Sequence, residues 1–482
     1  MLTHPYIVET HMFKYENKPF IFEVIGQNLY DVDEDTYNIA QLCDGSSIDT
    51  IVQIARDKYG LDNEYTKNIL SDLEKNKLIM DQKAQIFHRT EKIEFPDKMP
   101  IYALALHVAH DCNLRCLYCY GSGGSFGGPR DYMDEKTALR SIDFLLENAP
   151  DELQYSIIFF GGEPLMNYDL IKKVTEYCRK KEKETGKVFN LGMTTNGTLL
   201  NDEMMEYFDK NGITIGISID GPKEIHDQCR KCADGSGSFD SMFKNVEKLL
   251  ERRDGKVTAR ITLTRKDLEM HKITHEVENM GFKKVNVALV EADENTPFAI
   301  HKEDLEAINQ EYKIIAEEMY NAIIERRKFY TNIFYSHLSM LHNKNIMFYN
   351  CGAGRRYMAV APDGSLYLCH RFAGMEDYKM GDVFNGILPG TQKNVINAHV
   401  DAREECQECW ARYICGGGCF YNSVEKGGSL YKSPNFYCES YKCLFETSMY
   451  LYWKLNSYDP TIVERLLAPA GENYYDEEAT NC

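Results

Sequence analysis

At 482 residues the chain has room for about three domains of roughly 150 residues each, with a large buried core. Acidic residues outnumber basic ones 74 to 55, and the net charge of −19 argues against coating nucleic acid or anionic lipid. The apolar fraction of 43% with 27% charged residues suits a folded enzyme, and no run approaches the roughly 18 apolar residues of a membrane helix. The opening MLTHPYIVETHMFKYENKP is polar where an export signal would be apolar, so a cytoplasmic protein is expected. Sixteen cysteines in a reducing compartment point to metal binding rather than disulfides.

In chain order, residues 1–84 read as a small module: strand-like stretches at Met12 to Tyr15 and Phe20 to Val24, then helical patterning at Asp33 to Cys43, Ile48 to Tyr59 and Glu64 to Asn76. Sheet followed by three helices resembles a winged helix. Its fifteen Asp or Glu against eight Lys or Arg are the wrong sign for a phosphate backbone, so peptide binding is expected instead. Residues 85–100, with Pro96 and Pro100, read as a linker. From Ile101, over 101–300, six short strand patterns alternate with amphipathic helices: IYALALHV, QYSIIFF, VFNLGMT, ITIGISI, KVTARITLT and KKVNVAL. The fold class expected is α/β, a curved partial barrel of six βα units whose ligands sit at the carboxyl ends of the strands. Residues 301–345 read as a helical bridge, 346–450 as a cysteine-rich domain, and 451–482 as a mobile acidic tail.

Eleven cysteines fall in two knots, and the other five, Cys43, Cys178, Cys229, Cys232 and Cys482, read as isolated thiols. The first knot is HDCNLRCLYCY, where Cys112, Cys116 and Cys119 follow strand one with C-x3-C-x2-C spacing. Three thiolates leave one iron of a four-iron cluster without a protein ligand. A zinc site completed by His107 or His110 is the alternative. With its neighbouring motifs the knot resembles the radical S-adenosylmethionine (SAM) enzymes. The resemblance implies a [4Fe-4S] cluster whose open iron chelates SAM, and reductive cleavage to a 5′-deoxyadenosyl radical that abstracts a substrate hydrogen. FFGGEP at Phe159 to Pro164, TTNG at Thr194 to Gly197 and SIDGPKEIHDQCR at Ser218 to Arg230 end strands two, three and four, as the family's motifs do. By that resemblance Tyr118, Gly162, Glu163, Asn196, Ser218 and Arg230 bind SAM. Glu163 would pair with its ammonium and Arg230 with its carboxylate.

The second knot sets Cys351 and Cys369 around Gly364 as C-x12-G-x4-C, then Cys406, Cys409, Cys415 and Cys419 as C-x2-C-x5-C-x3-C, closed by Cys438. It resembles the SPASM domain of peptide-modifying radical enzymes, which holds two auxiliary clusters, for three [4Fe-4S] clusters in all. By resemblance Cys406, Cys409, Cys415 and Cys438 hold the distal one and Cys351, Cys369 and Cys419 the nearer. The nearer set is one ligand short, because Asn345 stands where some members have a cysteine, and Cys443 is a rival for the open position. An open iron there could bind a substrate thiolate beside the carbon radical.

Sulfatase maturases carry both knots but have an Asp where this chain has His370 after Cys369. YLCHRFAGMEDYKMGDV, CYGSGGSFGG and the N-terminal module together resemble the maturases of ranthipeptides, the SCIFF-type six-cysteine peptides. In those, the module is a RiPP recognition element that receives a leader peptide as an added edge strand. The resemblance implies thioether links from cysteine sulfur to a carbon in a ribosomally synthesised precursor peptide, with flavodoxin or ferredoxin as electron donor and no nucleic-acid or membrane partner. The alternatives are a sactionine, a carbon–carbon crosslink, a decarboxylation or formylglycine formation. From another class, a non-catalytic protein would bind peptide and hold zinc in both knots.

Overall fold

The computed structural model describes residues 2–83, 86–433 and 435–468. The N-terminal sheet has strands Thr10–Tyr15, Lys18–Glu23 and Asn28–Asp31, antiparallel and in that order, with Phe13 opposite Phe20. Glu16 and Asn17 join the first two with positive φ (48° and 65°), the twist a two-residue hairpin needs. Helices Glu34–Gln41, Ile48–Tyr59 and Asn63–Lys75 follow, capped by the side chains of Asp33, Ser47 and Asp62. The short strands Tyr6–Ile7 and Ile79–Met80 pair across the module's ends.

This module is not free-standing. Phe20, Ile21 and Phe22 are all buried because both sheet faces are covered. Ile21 packs on the helices with Ile39, Ile51 and Leu70. Phe20 and Phe22 pack on the cysteine-rich region with Tyr413, Phe445 and Tyr450. His11 stacks on Trp410 at 3.8 Å, and Glu9 makes a bidentate pair with Arg412, whose side chain is fully buried. The linker is tied down too: the Arg89 amide donates to Tyr413 Oη (2.8 Å) and Thr90 Oγ1 to Asp401 (2.8 Å).

The central sheet has six parallel strands in sequential order: Ala103–Ala109, Gln154–Gly161, Val188–Thr195, Thr214–Ser218, Thr258–Leu263 and Lys284–Leu289. Their outward side chains, among them Leu104, Ile157, Leu191, Ile217 and Ile261, meet the outer helices Glu135–Asn148, Tyr168–Thr185, Asp202–Lys210, Phe239–Arg252 and Met270–Asn279 in the main core. This is the partial barrel of six βα units that the sequence predicts. Strand Tyr357–Val360 pairs parallel to the first barrel strand, and three short antiparallel strands extend the sheet to ten. The cysteine-rich region is thus built into the barrel's own sheet, which a boundary at 346 does not convey. Helices Leu305–Ile324 and Tyr335–Asn343 bridge the two.

The expected tail boundary at 451 falls inside the helix Asn435–Tyr458, where Leu451 and Leu455 are buried. A further helix, Ile462–Leu467, packs Ile462 and Val463 into the core. A mobile tail is therefore not what 451–467 form, because these apolar residues pack into the core; the rest of the expected tail, from 469, lies outside the described residues. Among the described residues no helix is long and apolar enough to cross a membrane.

Candidate active site

The loop after the first barrel strand brings Cys112, Cys116 and Cys119 close enough to repel one another's negative charge. Glycine makes this approach possible. A Cβ on Gly162 would lie 2.2 Å from the Asp111 carbonyl oxygen, and one on Gly124 would lie 2.8 Å from Gly162 Cα. The Glu163 amide donates to Asp111 O (2.9 Å), fastening this loop to the end of strand two. Burial pushes the Cys112 thiol up to about 12 and Cys116 to about 11, so thiolates form here when a cation shares the site. A metal–sulfur centre fits that donor set.

A cavity of about 670 Å³ opens at the carboxyl ends of the strands. It is lined by the three cysteines and by Tyr118, Gly162, Glu163, Asn196, Ser218 and Arg230. Two of these already have partners within the chain. Glu163 is 1% exposed and already accepts from Thr195 Oγ1 (2.6 Å), the Asn196 amide (2.8 Å) and the Leu165 amide (3.0 Å). Its carboxylate clamps strand two to strand three, and its lone pairs are largely used. Arg230 is paired with Asp220, Nε to Oδ2 at 3.0 Å and Nη2 to Oδ1 at 3.1 Å, and lies over the Tyr118 ring. Asp220 also accepts from the Thr262 amide (3.1 Å) and from Tyr118 Oη. It stands in the SIDG motif, yet sequence reasoning gave it no role, because its partners lie up to 102 residues away. Asn196 Nδ2 donates to Asn113 Oδ1 (2.9 Å), so strand three also grips the cysteine loop.

His107 and His110 bond to each other (Nδ1 to Nε2, 3.1 Å). Burial holds His107 far below the usual histidine range and His110 at about 4, so both are neutral. They pack with Phe126. His370, packed like His107 against Phe160, lines the cavity with Arg371. His370 Nδ1 bonds to Tyr357 Oη (2.7 Å), and Arg371 pairs with Glu291 and Asn422.

The cysteines of the second knot fall into two groups. Cys406, Cys409, Cys415 and Cys438 are mutual electrostatic neighbours. Cys351, Cys369 and Cys419 form the other group, just behind His370 and Arg371. Cys443 sits elsewhere. Five residues on from Cys438, it points about 140° around the same helix. Its neighbours are Lys313, Glu446 and Thr447.

Residues 106–316 match the family described as the radical SAM superfamily. This segment belongs to that superfamily. The chain is 26% identical over 369 residues to the cysteine-type anaerobic sulfatase-maturating enzyme of Clostridium novyi (strain NT), covering 71% of this chain and 93% of the relative. It is 22% identical over 456 residues to the radical SAM cyclopropyl synthase TigE of Paramaledivibacter caminithermalis, covering 89% and 92%. In fold it is similar to native anSMEcpe with bound AdoMet and Kp18Cys peptide, with a TM-score of 0.63 and 21% identity over 74% of this chain and 99% of that one. Over most of its length the chain is similar to radical SAM maturases, and its structure shares their fold.

Proposed function

We propose that this enzyme installs thioether links, from cysteine sulfur to a carbon of another residue, in a ribosomally made precursor peptide. The observation carrying the reading is the group Cys351, Cys369 and Cys419, three thiols rather than four among the described residues, behind the wall of the cavity that the first knot opens into. Cys112, Cys116 and Cys119 would hold one [4Fe-4S] cluster, Cys406, Cys409, Cys415 and Cys438 a second, and the group of three a third. When bound, these groups and SAM would supply a carbon-centred radical and, nearby, an iron position open to a substrate sulfur.

The chain's own residues orient and insulate that chemistry. Tyr118, Gly162, Asn196, Ser218 and Arg230 would hold SAM, with Asp220 fixing the guanidinium and Glu163 fixing the strand ends. Arg371, held by Glu291, and the neutral His370 form the wall facing the peptide. The peptide's leader would add to Asn28–Asp31, an edge strand of the N-terminal sheet. Flavodoxin or ferredoxin would deliver electrons, and the enzyme would work in the cytoplasm without nucleic-acid or membrane partners. The alignment with TigE extends over 89% of the chain and favours carbon–carbon bond formation as the second reading.

The division of roles is tested with Cys369→Ala in enzyme reconstituted without oxygen. SAM cleavage to 5′-deoxyadenosine should continue while thioether product disappears. Equal loss of both, in protein that still folds, would contradict the reading.

A further inference from the structure

Two arginines are the largest fully buried side chains, and they are treated differently. Arg412 faces two carboxylates, Glu9 and Asp401. Arg403, 1% exposed, has no ion pair with a carboxylate among the described residues. Its guanidinium donates to three neutral acceptors: the carbonyl of Gly417, Ser423 Oγ (3.2 Å) and, at 3.4 Å, the carbonyl of Ala398. It also lies over the Phe420 ring, 4.7 Å from its centroid. An uncompensated buried cation costs several kcal/mol, so a fold that keeps one supplies a counter-charge.

Its position says what that counter-charge is. Arg403 lies three residues before Cys406, whose amide donates to the Arg403 carbonyl (3.0 Å). Gly417, which it grips, lies between Cys415 of the four-cysteine group and Cys419 of the three-cysteine group, and its stem packs against the space a Gly417 Cβ would take, 3.0 Å away. The anionic groups facing it are Cys406 and Cys415 from one group and Cys351 and Cys419 from the other. Neutral thiols would leave the cation uncompensated; metal-bound thiolates of both groups would not.

We propose that Arg403 is the shared counter-cation of the two auxiliary centres, stabilising the reduced, more negative state of each. The inference rests on the reading that both cysteine groups hold iron–sulfur clusters. Its consequence is that both centres accept an electron more readily than they would beside a neutral side chain, which suits them to take up the electron released when a peptide radical closes a bond.

The test uses the full chain carrying Cys112→Ala, Cys116→Ala and Cys119→Ala, so that the auxiliary centres alone take up iron. Reconstituted protein is titrated with dithionite and followed by electron paramagnetic resonance. Arg403→Met should lower both potentials by about 59 mV, a tenfold shift in each one-electron reduction equilibrium. Arg403→Lys should restore most of the shift, whereas Arg403→Gln, which keeps hydrogen bonding without charge, should not. Unmoved potentials, a shift in one centre alone, or rescue by Gln rather than Lys would overturn the proposal. If Arg403→Met loses iron, the Lys and Gln variants decide: iron kept in Lys and lost in Gln supports the shared charge, and equal retention or equal loss refutes it. Parent protein that takes up no iron at either group would overturn the cluster reading itself, and this proposal with it.

Discussion

Asp220→Asn tests whether the strand-end network is electrostatically built. Asp220 is 4% exposed and Arg230 8%, and the carboxylate gathers three hydrogen-bond donors, Arg230 Nη2, the Thr262 amide and Tyr118 Oη, with Arg230 Nε paired by charge 3.0 Å from Oδ2. Asparagine offers one carbonyl oxygen, and its amide group would face a guanidinium. Removing one partner of a buried pair costs about 3–5 kcal/mol. That lowers the folded-to-unfolded ratio between about a hundredfold and a few thousandfold. Urea unfolding followed by circular dichroism, with exchange of the Thr262 amide as a local readout, measures it. Adding Arg230→Met removes the stranded cation while its stem can still cover Tyr118, so the double variant should be more stable than the summed single effects by about 2 kcal/mol. A cost for Asp220→Asn below about 1 kcal/mol, or strict additivity, would refute the reasoning.

Three further outcomes follow from the same geometry. Cys438→Ala should reduce iron uptake at the four-cysteine group, while Cys443→Ala, which faces Lys313 and Thr447, should leave total iron unchanged; iron analysis of the two variants checks this. Gly162→Ala would place a methyl 2.2 Å from Asp111 O, so the cysteine loop must move, and SAM affinity measured by equilibrium dialysis should fall at least about tenfold. His337, half-buried against Phe445, is held by desolvation at about 4 instead of 6.5. The unfolded chain therefore binds its proton first, and as pH falls from about 6.5 to about 4 the folded state should lose about 3 kcal/mol on this account. His337→Gln should flatten the stability slope in that window by one proton; an unchanged slope would contradict the assignment.

Much of this was legible because the signals are local. Strand patterns with β-branched runs, N-caps such as Asp134 and Asn201, and cysteine spacings lie within a few residues of one another, and the barrel places each strand-end motif at one cavity. What escaped notice pairs across the chain. Arg412 and Glu9 are 403 residues apart, and the strand Tyr357–Val360 pairs with Ala103–Ala109 from far earlier in the chain. Arg403 has no signal in the sequence, since burial of a lone cation has no periodicity. The three chain donors on Glu163, from Thr195, Asn196 and Leu165, carry no signal in its motif, because two of them come from the end of the next strand.

The central claim is thioether formation, and the most direct measurement is the mass of a cysteine-containing precursor peptide after oxygen-free incubation with enzyme, SAM and reductant, followed by thiol alkylation. Loss of two hydrogens per event, with a matching loss of alkylatable cysteines that disulfide reduction does not restore, is the result predicted. Loss of two hydrogens with every thiol still alkylatable would contradict it and point to carbon–carbon bond formation.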